Sequence, residues 1–332
     1  MTMMAHSVQV GDHSFELRSL RGEHGLGAMF SYSVITLAKP DQPTVAELVG
    51  EPFSLKLKDV AGDETTVHGH VDAVERQTNT MGNVAFGLTL VPKAARLRIG
   101  RNSRVFQEQT AVDAIKTVLA DAGIEEVRWS LLASYPSRPY ITQYAESDWD
   151  FISRLLEEEG IYFRFEHGDE TTLVFEDDST SAPEAIGSAQ IPFRDASGGV
   201  PAEACIYDVG VVTEVTSDAV RLVDYDPDKP AVALDESAGD GAREIYDYPG
   251  RFVEAAEGKR LAEARLRAVL SSGERLVGKT TASRIIPGVI FELTDHPVAA
   301  LNRRWLVRSV GASTRRAHEA DRPADATGEA ET

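Results

Sequence analysis

The chain has 332 residues, 42% hydrophobic and 26% charged, a composition typical of globular domains with room for two or three cores. A formal charge of −19 and a pI near 4.9 disfavour nucleic acid and anionic membrane surfaces as partners. A single cysteine, Cys205, excludes an internal disulfide and points to a reducing compartment.

No apolar run reaches the about 18 residues of a membrane-spanning helix, and the segment MTMMAHSVQVGDHSF lacks the basic and apolar regions of a secretory signal. Residues 7–92 read mostly as strands. Leu55 and Leu57 alternate with Lys56 and Lys58; Val84, Phe86, Leu88 and Leu90 alternate with Ala85, Gly87 and Thr89. Gly50, Gly62 and Met81-Gly82-Asn83 punctuate them as turns. Short strands at this spacing suggest a small antiparallel barrel or sandwich. A helix follows, with Thr110 and Asp113 as a capping pair. Val112, Ile115, Val118, Leu119 and Ala122 share its inner face, and Gly123 ends it. Pro136 and Pro139 keep the link from Tyr135 to Tyr140 extended.

Residues 143–165, QYAESDWDFISRLLEEEGIYFRF, carry the densest local signal. Ser147 is placed as N-cap with Asp150 three residues on, a capping box. Phe151, Ile152, Leu155 and Leu156 make one apolar stripe. Asp150 and Arg154, four apart on the wet side, predict an ion pair of about 0.3 kcal/mol. Gly160 supplies a left-handed stop with Ile161 as the apolar residue beyond it. The period then changes to two: Ile161, Phe163 and Phe165 point one way, Tyr162, Arg164 and Glu166 the other. His167-Gly168-Asp169-Glu170 turns the chain, and Thr171 to Phe175 returns as the partner strand.

Residues 182–199 and 226–241 read as polar loops, with strands at Cys205–Val215 and Ala219–Tyr225. Glu254 to Leu270 is helical, with Leu261, Arg265, Leu266, Val269 and Leu270 on one side; residues 276–310 return to strands. After Val310 there is no aliphatic residue larger than alanine and no aromatic, so residues 311–332 are expected to be a disordered tail or linker.

Candidate chemistry is sparse. His68 and His70 share one strand face, but spacing fixes no third metal ligand, and a solvent-facing strand explains the pair. Glu157, Glu158 and Glu159 splay around a helix and cannot converge on one bond, so with Asp177 and Asp178 they read as a solvated face. Glu159 is the exception, close enough to the apolar stripe to lock onto a cation inside the fold. Cys205 in a strand-like run reads as a buried structural thiol, and Trp149, Tyr162, Phe163 and Phe165 as core. No nucleophile elbow, Walker loop, zinc-protease or dinucleotide motif occurs. No enzyme, cofactor or metal is expected; the enzymatic alternative is a carboxylate-based cell-wall hydrolase.

Gln143, Tyr144, Glu146, Ser147, Asp148, Phe151, Arg154, Leu155, Glu159, Gly160, Ile161 and Phe163 together resemble the signature of the valine-glycine-repeat (VgrG) spike proteins of type VI secretion systems. The same signature marks the related hubs of contractile phage tails. Gly22-Glu23, Met29 to Tyr32, His68-Gly69, Leu90 to Pro92 and Phe106 to Gly123 extend the resemblance over residues 7–310. It implies an α+β, mainly β fold: two small β-barrel-like domains with a helical insert, as in the contractile-phage baseplate hub. The expected divisions are a first barrel at 7–100, a helical insert at 101–160 and a second barrel-like domain at 161–310.

The resemblance further implies a homotrimer whose paired barrels adapt a threefold spike to a hexameric tube ring. It implies contacts with baseplate components, with effectors or a tip protein reached through further C-terminal parts. Assembly would be cytoplasmic and export would be driven by sheath contraction. The oligonucleotide-binding-like domain and needle of that family do not follow Val310, so the chain reads as the base of a spike, truncated or with its needle on another polypeptide. Ile141 stands where many relatives carry cysteine.

Overall fold

The computed structural model describes residues 4–38, 44–58, 64–78, 84–195 and 203–315. Strands β1 (Met4–Val10), β2 (His13–Gly25) and β3 (Ala28–Ala38) precede a short helix α1 (Val45–Leu48) and strands β4 (Pro52–Lys58), β5 (Glu64–Thr78) and β6 (Val84–Val91). They pair antiparallel in the order β1-β4-β5-β6-β3-β2, and β1 also pairs with β2. The six strands therefore close into a barrel, β1 meeting β2 over His13–Glu16. The alternation read from the sequence is obeyed: Leu55, Leu57, Phe86, Leu88 and Leu90 are all buried inside. At Gly69 the chain passes so close to β6 that a Cβ would sit 2.1 Å from the Val91 carbonyl oxygen, so only glycine fits. Gly50 turns the chain with φ +84°; Gly62 and Met81-Gly82-Asn83 lie outside the described residues.

The middle of the chain holds β7 (Asn102–Gln109), α2 (Ala111–Asp121), β8 (Val127–Ser130), β9 (Arg138–Glu146), α3 (Asp148–Glu159), β10 (Tyr162–His167) and β11 (Thr171–Glu176). β7 and β9 form an antiparallel ribbon; β11 pairs antiparallel with β10 and parallel with β8. The boundary expected at residue 160 separates no cores. Phe163, Phe165 and Phe175 of the hairpin join one continuous apolar core with Phe30 of the barrel and Ile115, Phe151 and Leu155 of the helices. The hairpin's inward rings find their partners backward in the chain, not forward.

Beyond it come β12 (Gln190–Pro192), β13 (Ile206–Thr213), β14 (Ala219–Asp224), β15 (Leu234–Gly239), β16 (Glu244–Asp247), α4 (Ala255–Leu270), β17 (Glu274–Thr280), β18 (Ile290–Thr294), β19 (Arg304–Leu306) and β20 (Ser309–Arg315). β17 pairs with β13, a Phe193–Ile206 bridge links β13 to the end of β12, and β12-β18-β19 continue the set. These five strands surround a second core of Ile191, Ile206, Ile285, Phe291, Leu293 and Val307. Their outer members, β17 and β19, face each other across a cleft of about 380 Å³. An Arg303–Glu274 ion pair at 2.6 Å joins the segment just before β19 to the start of β17. This unit is barrel-like but open on one side. A third core forms where α4 covers the β15-β14-β16 sheet through Val220, Leu222, Phe252, Leu261 and Ala262.

Four expectations are corrected here. Residues 182–199 are not simply loop: β12 lies parallel to β18, and Ala182, Ala185 and Ile191 are buried. A three-residue pairing is too short to show an alternation. Residues 226–241 contain β15, paired along all of β14; only Leu234 and Ala238 of its six residues are buried, so LDESAG reads as polar. In α4 the buried face is Gly258, Leu261 and Ala262, with Leu270 exposed, because Gly258 lets the helix settle onto the Phe252 ring. The tail does not begin at 311. β20 runs to Arg315 and pairs with β2 as a seventh strand outside the closed barrel, held by backbone bonds that composition does not report. Residues 316–332 of the expected tail lie outside the described residues.

Candidate functional site: the capped helix and its ion-pair clamps

Helix α3 starts and stops as its sequence dictates. The Ser147 hydroxyl accepts from the Asp150 backbone N–H at 3.0 Å. At the other end Gly160 adopts φ +73°, its N–H donating to Glu157 O and that of Ile161 to Leu156 O. That 6→1 and 5→2 pair is the Schellman arrangement. The Ala264 Cβ of α4 lies 2.9 Å from where a side chain at Gly160 would begin. Gly160→Val is therefore expected to destabilise the fold by at least about 1 kcal/mol, read as a lowered thermal midpoint. The inner face packs Phe151 flat against Phe106 with ring centroids 5.6 Å apart, and Trp149 edge-on to Phe163 at 5.1 Å. Such pairs add about 0.5–1.5 kcal/mol each beyond burial.

The charged residues are where structure departs most from sequence. Arg154 does not pair with Asp150; it reaches back to Glu146 at 2.6 Å, donates to the Thr142 carbonyl at 3.0 Å and meets Glu158 at 3.4 Å. Strand β9 runs beside the helix and offers an acceptor nearer than the i,i+4 partner. Asp148 accepts from Arg104 at 2.5 Å and from Gln143 Nε2 at 2.8 Å, tying the helix start to both strands of the ribbon. Glu158 is not solvated: Arg138 at 2.7 Å, Arg154 and Arg251 converge on it. Asp177 accepts from the Leu132 and Ala133 N–H groups and the Tyr135 hydroxyl, stapling a loop.

Glu159 does lock inside the fold. Its side chain is 0% exposed and is held by Arg138 at 2.5 Å and Arg260 of α4 at 2.7 Å. Arg260 also donates to the Glu159 carbonyl and lies over the Tyr135 ring, 5.1 Å from its centroid. Neighbouring carboxylates leave their mark: burial, with the Glu159 charge adding, raises the Glu257 carboxyl above its ordinary range. A second clamp was not foreseen. Arg164, expected on the hairpin face opposite Phe163 and Phe165, is 2% exposed and forms a two-pronged pair with Glu176, both contacts 3.0 Å, plus a contact to Glu166 at 2.7 Å. Its flanking phenylalanines gave the only hint, since the sandwiched cation shares their depth.

Of the signature residues, Gln143, Phe151, Leu155, Glu159, Ile161 and Phe163 are buried, and Glu146, Ser147, Asp148, Arg154 and Gly160 shape the helix ends. Tyr144 stands apart, 80% exposed on the outer face of the ribbon. Cys205 is fully buried and hydrogen-bonds through its N–H to Thr281. His68 and His70 gather no third ligand: among the described residues no group of three His, Cys, Asp or Glu side chains is placed to hold a metal. No described helix is long and apolar enough to cross a membrane. What these clamps can do chemically is fix elements to one another.

Residues 23–316 match the family described as Phage tail baseplate hub (GPD). The type VI secretion system spike protein VgrG1c of Pseudomonas aeruginosa is 30% identical over 92% of this chain and 43% of its own length. The actin cross-linking toxin VgrG1 of Vibrio cholerae is 27% identical over 97% of this chain and 31% of its own. The chain thus spans less than half the length of these relatives. Among solved structures it resembles an Escherichia coli component of the type VI secretion system, described as similar to phage T4 tail proteins gp27 and gp5. The TM-score is 0.72 at 18% identity, covering 94% of this chain and 73% of that one. It also resembles a 43 kDa prophage tail protein of Shewanella oneidensis, at TM-score 0.66 and 11% identity, covering 94% and 95%.

Proposed function

Because this chain belongs to the phage tail baseplate hub family, we propose that it forms the base of the spike of a type VI secretion system. The observation that carries the reading is one chain presenting a closed six-stranded barrel and a second, open barrel-like unit. Three copies would then set six barrel faces around one axis, offering near-equivalent contacts to a hexameric tube ring at one end and threefold symmetry at the other. Such a part transmits force and needs no cofactor, metal or active site. In this reading the signature residues are structural: Glu159, Arg154 and Asp148 lock helix to ribbon and to α4 so that load does not shear the insert. The protein would assemble in the bacterial cytoplasm, meet other baseplate components there, and leave with the tube on contraction. Effector or tip contacts would lie with C-terminal parts of the longer relatives.

Mixing the purified chain with rings of the tube protein tests this. Light scattering should show self-association toward a trimer and a complex of three chains per six-subunit ring. A dimer at every concentration, with no ring binding, would overturn it. The second reading, a hub of a contractile phage tail, draws on the matched family's own description. It predicts binding to a phage tail tube in place of the secretion tube. A cell-wall hydrolase would instead release peptidoglycan fragments, which this chain is expected not to do.

A further inference from the structure

His24 on β2 and His167 at the end of β10 lie against each other where the barrel meets the open unit. Their ring centroids are 5.2 Å apart, and the Phe30 ring packs on both at 5.9 and 5.4 Å. His167 Nδ1 lies 3.1 Å from the Thr171 hydroxyl, the same oxygen that accepts from the His68 backbone N–H. Nε2 of each ring is buried with no hydrogen-bond partner. Both rings line a cavity of about 20 Å³, enough for about one water. Its far wall is Ser283, Ile285, Pro287 and Val310.

The charged and titratable groups around this pair are unhelpful to a proton. Arg164 disfavours a charge on His24 from β10, already engaged by Glu166 and Glu176, and His68 on β5 further disfavours a charge on His167. Tyr32 of β3 lines the cavity, its hydroxyl pushed up to about 12 by burial. The apposed segment 281–289 carries one charged side chain, Arg284. No carboxylate lines the cavity. Neutral imidazoles fit here and imidazolium ions do not.

We propose that His24 and His167 form an acid-sensitive joint, in which protonation of either ring unseats residues 283–287 and the start of β20 from the barrel before the barrel itself opens. The wall that moves is joined to the barrel by backbone bonds, the Leu26 N–H donating to Arg308 O and the β20–β2 pairing, which can peel from one end. The opposite wall is the closed barrel. Burial, with Arg164 adding, lowers His24 to about 4; burial, with His24 and His68 adding, lowers His167 to about 3. Both lie below the ordinary 6.5, so the stabilising contribution is complete above that value and is lost as pH falls toward 4 and 3. Between pH 7.5 and pH 5 each histidine that charges on opening should favour the open form by about thirtyfold.

Hydrogen exchange corrected for intrinsic rate, followed by mass spectrometry from pH 7.5 to 4.5, reads this directly. Peptides spanning 283–288 and 309–312 should lose protection on acidification while β4 to β6 keep theirs. The double variant His24→Phe with His167→Asn should abolish that loss. Protection that stays flat, a loss that persists in the double variant, or simultaneous loss in barrel and segment would each overturn the joint. If the double variant does not fold, urea denaturation of the unaltered chain decides. Stability that falls between pH 6.5 and 5, with proton uptake on unfolding, supports the proposal; stability independent of pH there refutes it.

Discussion

Arg164→Met should lower the unfolding free energy by about 3–5 kcal/mol, the usual cost of leaving one member of a buried ion pair alone. Methionine keeps most of the arginine volume, so the loss would report charge more than a void. Glu176 and Glu166 would both lose the guanidinium that now reaches them, and Glu176 has little water to turn to. Gly288 lies so close to the Arg164 Cδ that a Cβ there would overlap it, so the same side chain also supports the segment that caps the barrel. Adding Glu176→Leu to the variant should restore much of the stability, because an apolar pair of similar size needs no compensation. Urea denaturation of the two single variants and the double one measures the coupling. Equal losses for Arg164→Met and for the double variant would show that the pair contributes packing alone.

Glu159→Ala is expected to cost about as much, about 3–5 kcal/mol, because it leaves Arg138 and Arg260 facing each other over an emptied buried site. The effect should be spatially selective. Arg260 belongs to α4 and Arg138 to β9, so both lose their common anchor, and amide exchange should rise in 255–270 and 138–146 ahead of the barrel strands. Arg260→Ala should be milder, since Arg138 still satisfies the carboxylate and Arg260 is partly in contact with solvent. A Glu159→Ala protein with an unchanged thermal midpoint would show that the clamp is decorative.

What could be read from the chain was what short-range physics decides. The cap at Ser147, the glycine stop at Gly160 and the change of period at Ile161 depend on residues within a turn of each other, and each is found in place. Strand alternation in β4 and β6 was legible because the barrel interior is dry and its outside wet. Pairing partners were not. Nothing in SVGASTR tells that β20 returns to β2, some 290 residues earlier in the chain, because a backbone ladder is indifferent to side chains. Arg154 illustrates the same limit at closer range: local spacing offered Asp150, and tertiary placement of β9 supplied Glu146 instead. The depth of Arg164 was not legible because periodicity assigns faces and not burial, and Arg164 is buried on its face as Phe163 and Phe165 are on theirs. Glu159 could be singled out only because it borders the apolar stripe; its two arginines come from 21 residues before and 101 residues after it.

The return of β20 to β2 sets the route by which a pull would travel. A tension applied beyond Arg315 enters the chain along an antiparallel seam of seven residue pairs, Ser19–Arg315 through Gly25–Ser309. Because the strands are antiparallel, Ser19 and Arg315 lie at the same end of the seam, so a pull between the two chain ends peels its hydrogen bonds one after another. With β20 peeled away, tension from that end passes next into β19 and the open unit. Stretching the molecule from its two ends should therefore release the β20 seam early and at low force, before the six-stranded barrel opens.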